Sequence, residues 1–112
     1  VDDIASARRY AAHVLLRARD GERLGEAAVS RALAGLAAKA GRPDDVARWM
    51  KRADLSARLR GSRRENALNE ALSARLDVRA DEPCSARRAE RAQAELRAMG
   101  MNWHADRRLG AL

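Results

Sequence analysis

The chain has 112 residues, of which 26 are alanine, and its larger apolar residues are 13 Leu, 5 Val, 3 Met, 2 Trp and single Ile, Tyr and Cys. With no Thr or Phe and few β-branched residues there is little material for half-buried strands, whereas Ala, Leu and Arg all favour helix, so the composition predicts one all-α domain over 1–112, a compact bundle of four to five short helices. The formal charge of +7 comes from 21 Arg and 2 Lys against 16 acidic residues, and residues 48–64 alone carry +6.

The first helix is expected to start after Asp2 or Asp3 and to stop at Gly21, with Ile4, Ala7, Ala11, Val14, Leu15 and Ala18 inward and His13 and Arg17 off that face. A second helix is predicted from about Glu22 to Ala40, its start set back by Gly25 and its end made by Gly41. Its apolar spacing puts Ala28, Val29, Ala32, Leu33, Leu36 and Ala40 inward. Gly35 lies inside this helix, where glycine costs about 1 kcal/mol relative to alanine, and close helix packing is the expected compensation. Ala28, Ala32, Gly35 and Leu36 therefore form the candidate interface, including one with a second copy of the chain.

Arg42-Pro43-Asp44-Asp45 reads as a turn and helix start, since proline lacks the amide proton that a first helical position leaves unpaired and acidic groups suit the positive end of the dipole. Val46, Trp49, Met50 and Ala53 make the inward stripe. Leu55 and Leu59 fall off it, so a cap or kink is predicted at Asp54, before a short fourth segment ending at Gly61. Ser62-Arg63-Arg64-Glu65 has capping-box spacing and opens a helix with Leu68, Ala71, Leu72 and Leu76 inward. Asp77–Pro83 reads as a loop and hinge. A last helix follows over Ser85–Met99, with Ala89, Ala92 and Leu96 inward, Gly100 as its stop, and a frayed tail over about 104–112.

Leu-Ser-Ala-Arg-Leu occurs twice, 17 residues apart, which matches no solenoid period. Uncharged runs such as Ala32–Ala38 are far short of the roughly 20 residues a membrane span needs, and the acidic Val1-Asp2-Asp3 start lacks a signal-peptide pattern. Lone Cys84 forms no internal disulfide, and with His13 and His104 it does not complete a structural zinc site. No metal, no cofactor and a reducing, cytoplasmic setting are the expectations.

Catalytic signatures are missing. There is no phosphate-binding Gly loop, HExxH, CxxC or framed nucleophile, and the carboxylates on the expected helix faces stand singly apart from Asp44-Asp45, so a non-enzymatic role is expected. Asn102-Trp103-His104-Ala105-Asp106 reads as a terminal turn in which Trp103 folds back, because adjacent helical residues point in different directions. Cys84 reads as a small, half-buried residue.

The basic segment carries the functional signal. Arg48, Lys51, Arg52, Arg58, Arg60, Arg63 and Arg64 are interrupted by Asp54 alone, and guanidinium forks match phosphate geometry. The expected function is nucleic-acid binding, DNA or RNA, by a small regulator or accessory factor of a phage, plasmid or other mobile element. The alternative is a protein-interaction module, such as an adaptor, inhibitor or subunit, docking an acidic partner surface with the same arginines. Leu36-Ala37-Ala38-Lys39-Ala40-Gly41 followed by Val46-Ala47-Arg48-Trp49 resembles the helix-turn-helix pattern, which implies a second helix that enters the major groove. Arg42 replaces the apolar residue usual after the glycine, the turn is one residue short, and a plain helical hairpin fits the same residues.

Overall fold

The computed structural model describes residues 4–19, 23–79 and 85–102, and all of its regular structure is helical. Five helices follow one another: α1 (Ile4–Arg19), α2 (Glu26–Lys39), α3 (Pro43–Arg60), α4 (Arg63–Arg79) and α5 (Ser85–Ala98). The fold class is all-α. Two compact units divide the chain, one reaching Arg60 and one starting at Gly61. Gly21, Cys84, Trp103, His104 and the 104–112 tail, singled out in the sequence, lie outside the described residues.

In the first unit α2 and α3 form the most extensively packed pair, and α1 adds to α2 more lightly. Ala11, Ala18, Ala27, Val29, Ala34, Ala37, Ala53 and Ala57 are its buried apolar residues. Such small side chains bring helices close while each removes little apolar area from water. The α2–α3 connection is set by local chemistry. Gly41 has φ +70°, its N–H donates to the Ala38 carbonyl at 3.1 Å, and the Arg42 N–H donates to Ala37 at 2.9 Å, the paired bonds of a Schellman end. Pro43 then begins α3, with Asp44 and Asp45 in its first turn.

Five expectations differ from the structure of this unit, the first being that Ile4 and Ala7, expected inward on α1, are exposed, with Ala11 and Ala18 alone buried among the described residues of that helix. α2 starts at Glu26 rather than near Glu22, because Gly25, at φ +142°, ends a turn over Arg23–Gly25. Its buried face is Glu26, Ala27, Val29, Ser30, Ala34 and Ala37, so Ala28, Ala32 and Ala40 point outward instead of inward. A Cβ built on Gly35 meets nothing within 4 Å, so no close packing among the described residues explains that glycine. Finally, α3 runs unbroken through Asp54 to Arg60. Its buried stripe continues with Ser56 and Ala57, and the two leucines that suggested a phase change, Leu55 and Leu59, are simply exposed.

The second unit is a hairpin of α4 and α5. Its core joins buried Ala67 and Leu96 with Leu68, Ala71, Met99 and Met101, and Ala89, Ala92 and Leu96 are inward as their spacing predicts. Ser62 caps α4, accepting the Glu65 N–H at 3.1 Å. α4 extends to Arg79, so Asp77 is helical rather than the first residue of a loop. Arg88 on α5 reaches back to α4 with three nitrogens: Nε donates to Glu70 at 3.0 Å, Nη2 to the Ser73 hydroxyl at 3.0 Å, and Nη1 to Asp77. Gly100, at φ +75°, ends α5 with bonds from its own N–H to Arg97 and from Met101 to Leu96, both 2.9 Å.

Candidate interaction surface on the third helix

The site follows from how α3 is wrapped. Ala53, Ser56 and Ala57 face inward, with Val46, Trp49 and Met50 half-buried on the same side, so Arg48, Lys51, Arg52, Leu55, Arg58 and Leu59 share the opposite side at spacings of three and four. Leu55 is 53% and Leu59 60% exposed, and both sit among cations. Arg60 is exposed at the end of the helix. Five of the seven basic residues marked in the sequence thus belong to α3, and Arg63 and Arg64 belong to the second unit.

The cations differ in what already holds them. Arg48 approaches Asp45 at 3.3 Å and lies 5.2 Å from the centre of the Trp49 ring, within cation–π range. Arg63 donates to Glu95 at 2.5 Å, and both groups are largely exposed. That hydrogen bond, with the attraction of the opposite charge, moves the Arg63 pKa up and the Glu95 pKa down. Among the described residues no ion pair engages Lys51, Arg58, Arg60 or Arg64.

Arg52 is held most firmly, by a residue the sequence did not single out. Glu26, in the first turn of α2, is only 3% exposed. Arg52 Nε donates to its Oε2 at 3.1 Å, and Arg23 Nη1 donates to Oε1 at 2.9 Å. Burial pushes the Glu26 carboxyl pKa up, but the Ser56 hydroxyl, Arg23 and Arg52 together outweigh it and hold the group below its ordinary value. The Ser56 hydroxyl, itself buried, has no partner at regular hydrogen-bond geometry in its placed position.

These groups line an open groove of about 390 Å³, walled by Arg23, Glu26, Arg48, Lys51, Arg52, Leu55 and Ser56. The groove holds four cations against one carboxylate that is already paired. No group of three His, Cys, Asp or Glu side chains among the described residues has the arrangement of a metal site, and no described helix is long and apolar enough to cross a membrane. On the outward side of α2, Ala28 and Ala32 are exposed, and Gly35 and Leu36 are half-buried. Comparison with family models, with curated proteins and with solved structures gives no match.

The basic segment was visible as a run of cations at helical spacing, of which Arg48, Lys51, Arg52, Arg58 and Arg60 lie on α3 and Arg63 and Arg64 on α4. Glu26, Leu55 and Leu59 were missed because each resembles a neighbour of a different kind: a first-turn acid that favours the dipole, and leucines that ordinarily mark a core.

Proposed function

We propose that this chain is a non-enzymatic protein-interaction module that docks an acidic, partly apolar partner surface through the outer face of α3. The carrying observation is the exposure of Leu55 and Leu59 on the same side as Arg48, Lys51 and Arg58. A row of phosphates is satisfied by cations alone, whereas leucines interleaved with cations match a protein face that carries both carboxylates and apolar side chains.

Nuclease-treated co-purification tests this reading, comparing the wild-type chain with Leu59→Glu and Arg58→Glu, two exposed positions whose replacement leaves the core intact. A stoichiometric protein partner held by the wild type and lost from both variants supports it. A complex with labelled duplex DNA or RNA that weakens steeply with salt and ignores Leu59→Glu overturns it in favour of nucleic-acid binding. That second reading, a small regulator or accessory factor acting on nucleic acid, is favoured by one observation. Lys51, Arg58, Arg60 and Arg64 have no carboxylate partner among the described residues.

Homodimerisation belongs to the same proposal. The outward stripe of Ala28, Ala32 and Gly35 is flat and open, and a two-fold pair formed there would present two α3 faces to one partner, raising avidity through effective concentration. Light scattering decides it: a mass near 12 kDa means the monomer is sufficient, and a doubled mass that Gly35→Leu reduces to that value means the stripe is the contact. The reducing, cytoplasmic setting expected from the single cysteine remains part of this reading.

A further inference from the structure

We infer that the groove beside Glu26 is a preorganised socket for one acidic side chain of a partner helix, with Leu55 as the wall that receives the apolar residue one turn away. The inference rests on the α3 docking reading and specifies its chemistry. Arg23 engages Glu26 through Nη1 and Arg52 through Nε, so each spends one nitrogen of its fork on that carboxylate. Because the Glu26 carboxylate is buried and fixed from both sides, those two guanidiniums are held in place before anything binds, and less side-chain freedom is lost on association. Lys51, with no ion pair of its own, completes the cationic rim, and half-exposed Leu55 closes it on the apolar side.

The occupant follows from charge and shape. Four cations surround the groove and its single carboxylate is already satisfied, so it attracts an anion and not a cation. A bare phosphate leaves Leu55 in water. A Glu followed by Leu four residues later on a helix brings a carboxylate to Arg23, Arg52 and Lys51 and sets an apolar side chain on Leu55, since residues four apart share a face. Glu26 acts as a positioning residue, because it reaches the incoming carboxylate only through the two arginines.

The test uses the full chain and fluorescence anisotropy with a labelled helical peptide carrying one Glu-x-x-x-Leu pair, together with a peptide in which Gln replaces that Glu, duplex DNA, and inorganic phosphate as competitor. Lys51→Glu and Leu55→Gln are each expected to weaken peptide binding by about tenfold, the scale of a hot-spot contact. Arg8→Glu, an equal charge change on the exposed face of α1, is expected to leave it unchanged. Glu26→Gln is the deciding variant. It makes the groove more positive, so general attraction predicts tighter binding, whereas positioning predicts weaker binding at unchanged helicity.

Tighter binding by Glu26→Gln, equal binding of the Gln peptide, or indifference to Leu55→Gln overturns the socket. Displacement by millimolar phosphate, or preference for the duplex, also overturns it by showing a phosphate site instead. If Glu26→Gln lowers helicity, Leu55→Gln and the Gln peptide still decide, because neither touches the fold. Failure here combined with continued loss of the co-purified partner in Leu59→Glu removes the socket and leaves the α3 docking face standing.

Discussion

Arg52 on α3 donates from Nε to the buried carboxylate of Glu26 on α2 at 3.1 Å, joining two residues 26 positions apart in the chain. The bond ties the start of one helix to the middle of the next. It also sets a guanidinium on the surface where the basic segment and the exposed leucines meet, so one interaction serves both packing and the candidate site.

Glu26→Ala is expected to destabilise the chain by about 1–2 kcal/mol in urea denaturation, and Glu26→Gln by less. The loss stays at the low end for a buried pair because Arg23 and Arg52 are each more than a third exposed and regain water when the carboxylate is removed. A loss near zero would show that the carboxylate's desolvation cancels both hydrogen bonds.

The same carboxyl makes stability depend on acid. Its folded pKa lies below the unfolded value of about 4.3, so the unfolded chain takes up the proton first. The stabilisation is complete above that pH and disappears as pH falls through the lowered folded value. Thermal melts of Glu26→Gln should therefore show a flatter decline below about pH 4.3 than wild type. Glu95, lowered by Arg63 on an exposed surface, is screened by solvent and adds little to that limb, so Glu95→Gln should leave the slope nearly unchanged.

Arg88→Lys is expected to cost the α4–α5 hairpin about 1 kcal/mol, although charge is kept. One ammonium cannot reproduce a planar fork that serves Glu70, Ser73 and Asp77 together. Urea denaturation of Arg88→Lys beside Arg88→Ala checks it: similar losses mean the fork geometry matters, and full retention by lysine means charge alone suffices.

Ser62→Ala removes the acceptor of the Glu65 N–H and should lower stability by about 1 kcal/mol, with Ser62→Asp close to wild type. Equal stability of the alanine variant would show that water replaces the cap.

Two glycines should respond in opposite directions. Gly35→Ala places a methyl in open space within a helix and should raise the melting temperature, by up to about 1 kcal/mol of stability in the monomer. Gly41→Ala forces a side chain onto φ +70° and should cost about 1 kcal/mol. A destabilised Gly35→Ala that also loses a dimer by light scattering would locate the missing neighbour in a second copy.

What the sequence determined by itself is what short-range chemistry controls. The five helices, the glycine ends at Gly41 and Gly100, the Pro43 start, the Ser62 cap and the inward Ala89, Ala92 and Leu96 follow from residues within a turn or two of one another. The position of the basic residues on α3 was legible for the same reason, since spacings of three and four put them together wherever the helix packs. Only the tertiary structure decided which face of α2 turns inward. In a helix built largely of alanine either side removes similar area from water, so neighbours make the choice: Ala27, Ser30, Ala34 and Ala37 are buried and Ala28 and Ala32 are not. It likewise decided that Leu55 and Leu59 are surface and not core, and that Glu26 is a buried anchor held by Arg52 as well as by its chain neighbour Arg23, because Arg52 comes from another helix, and no local pattern records where that helix lies.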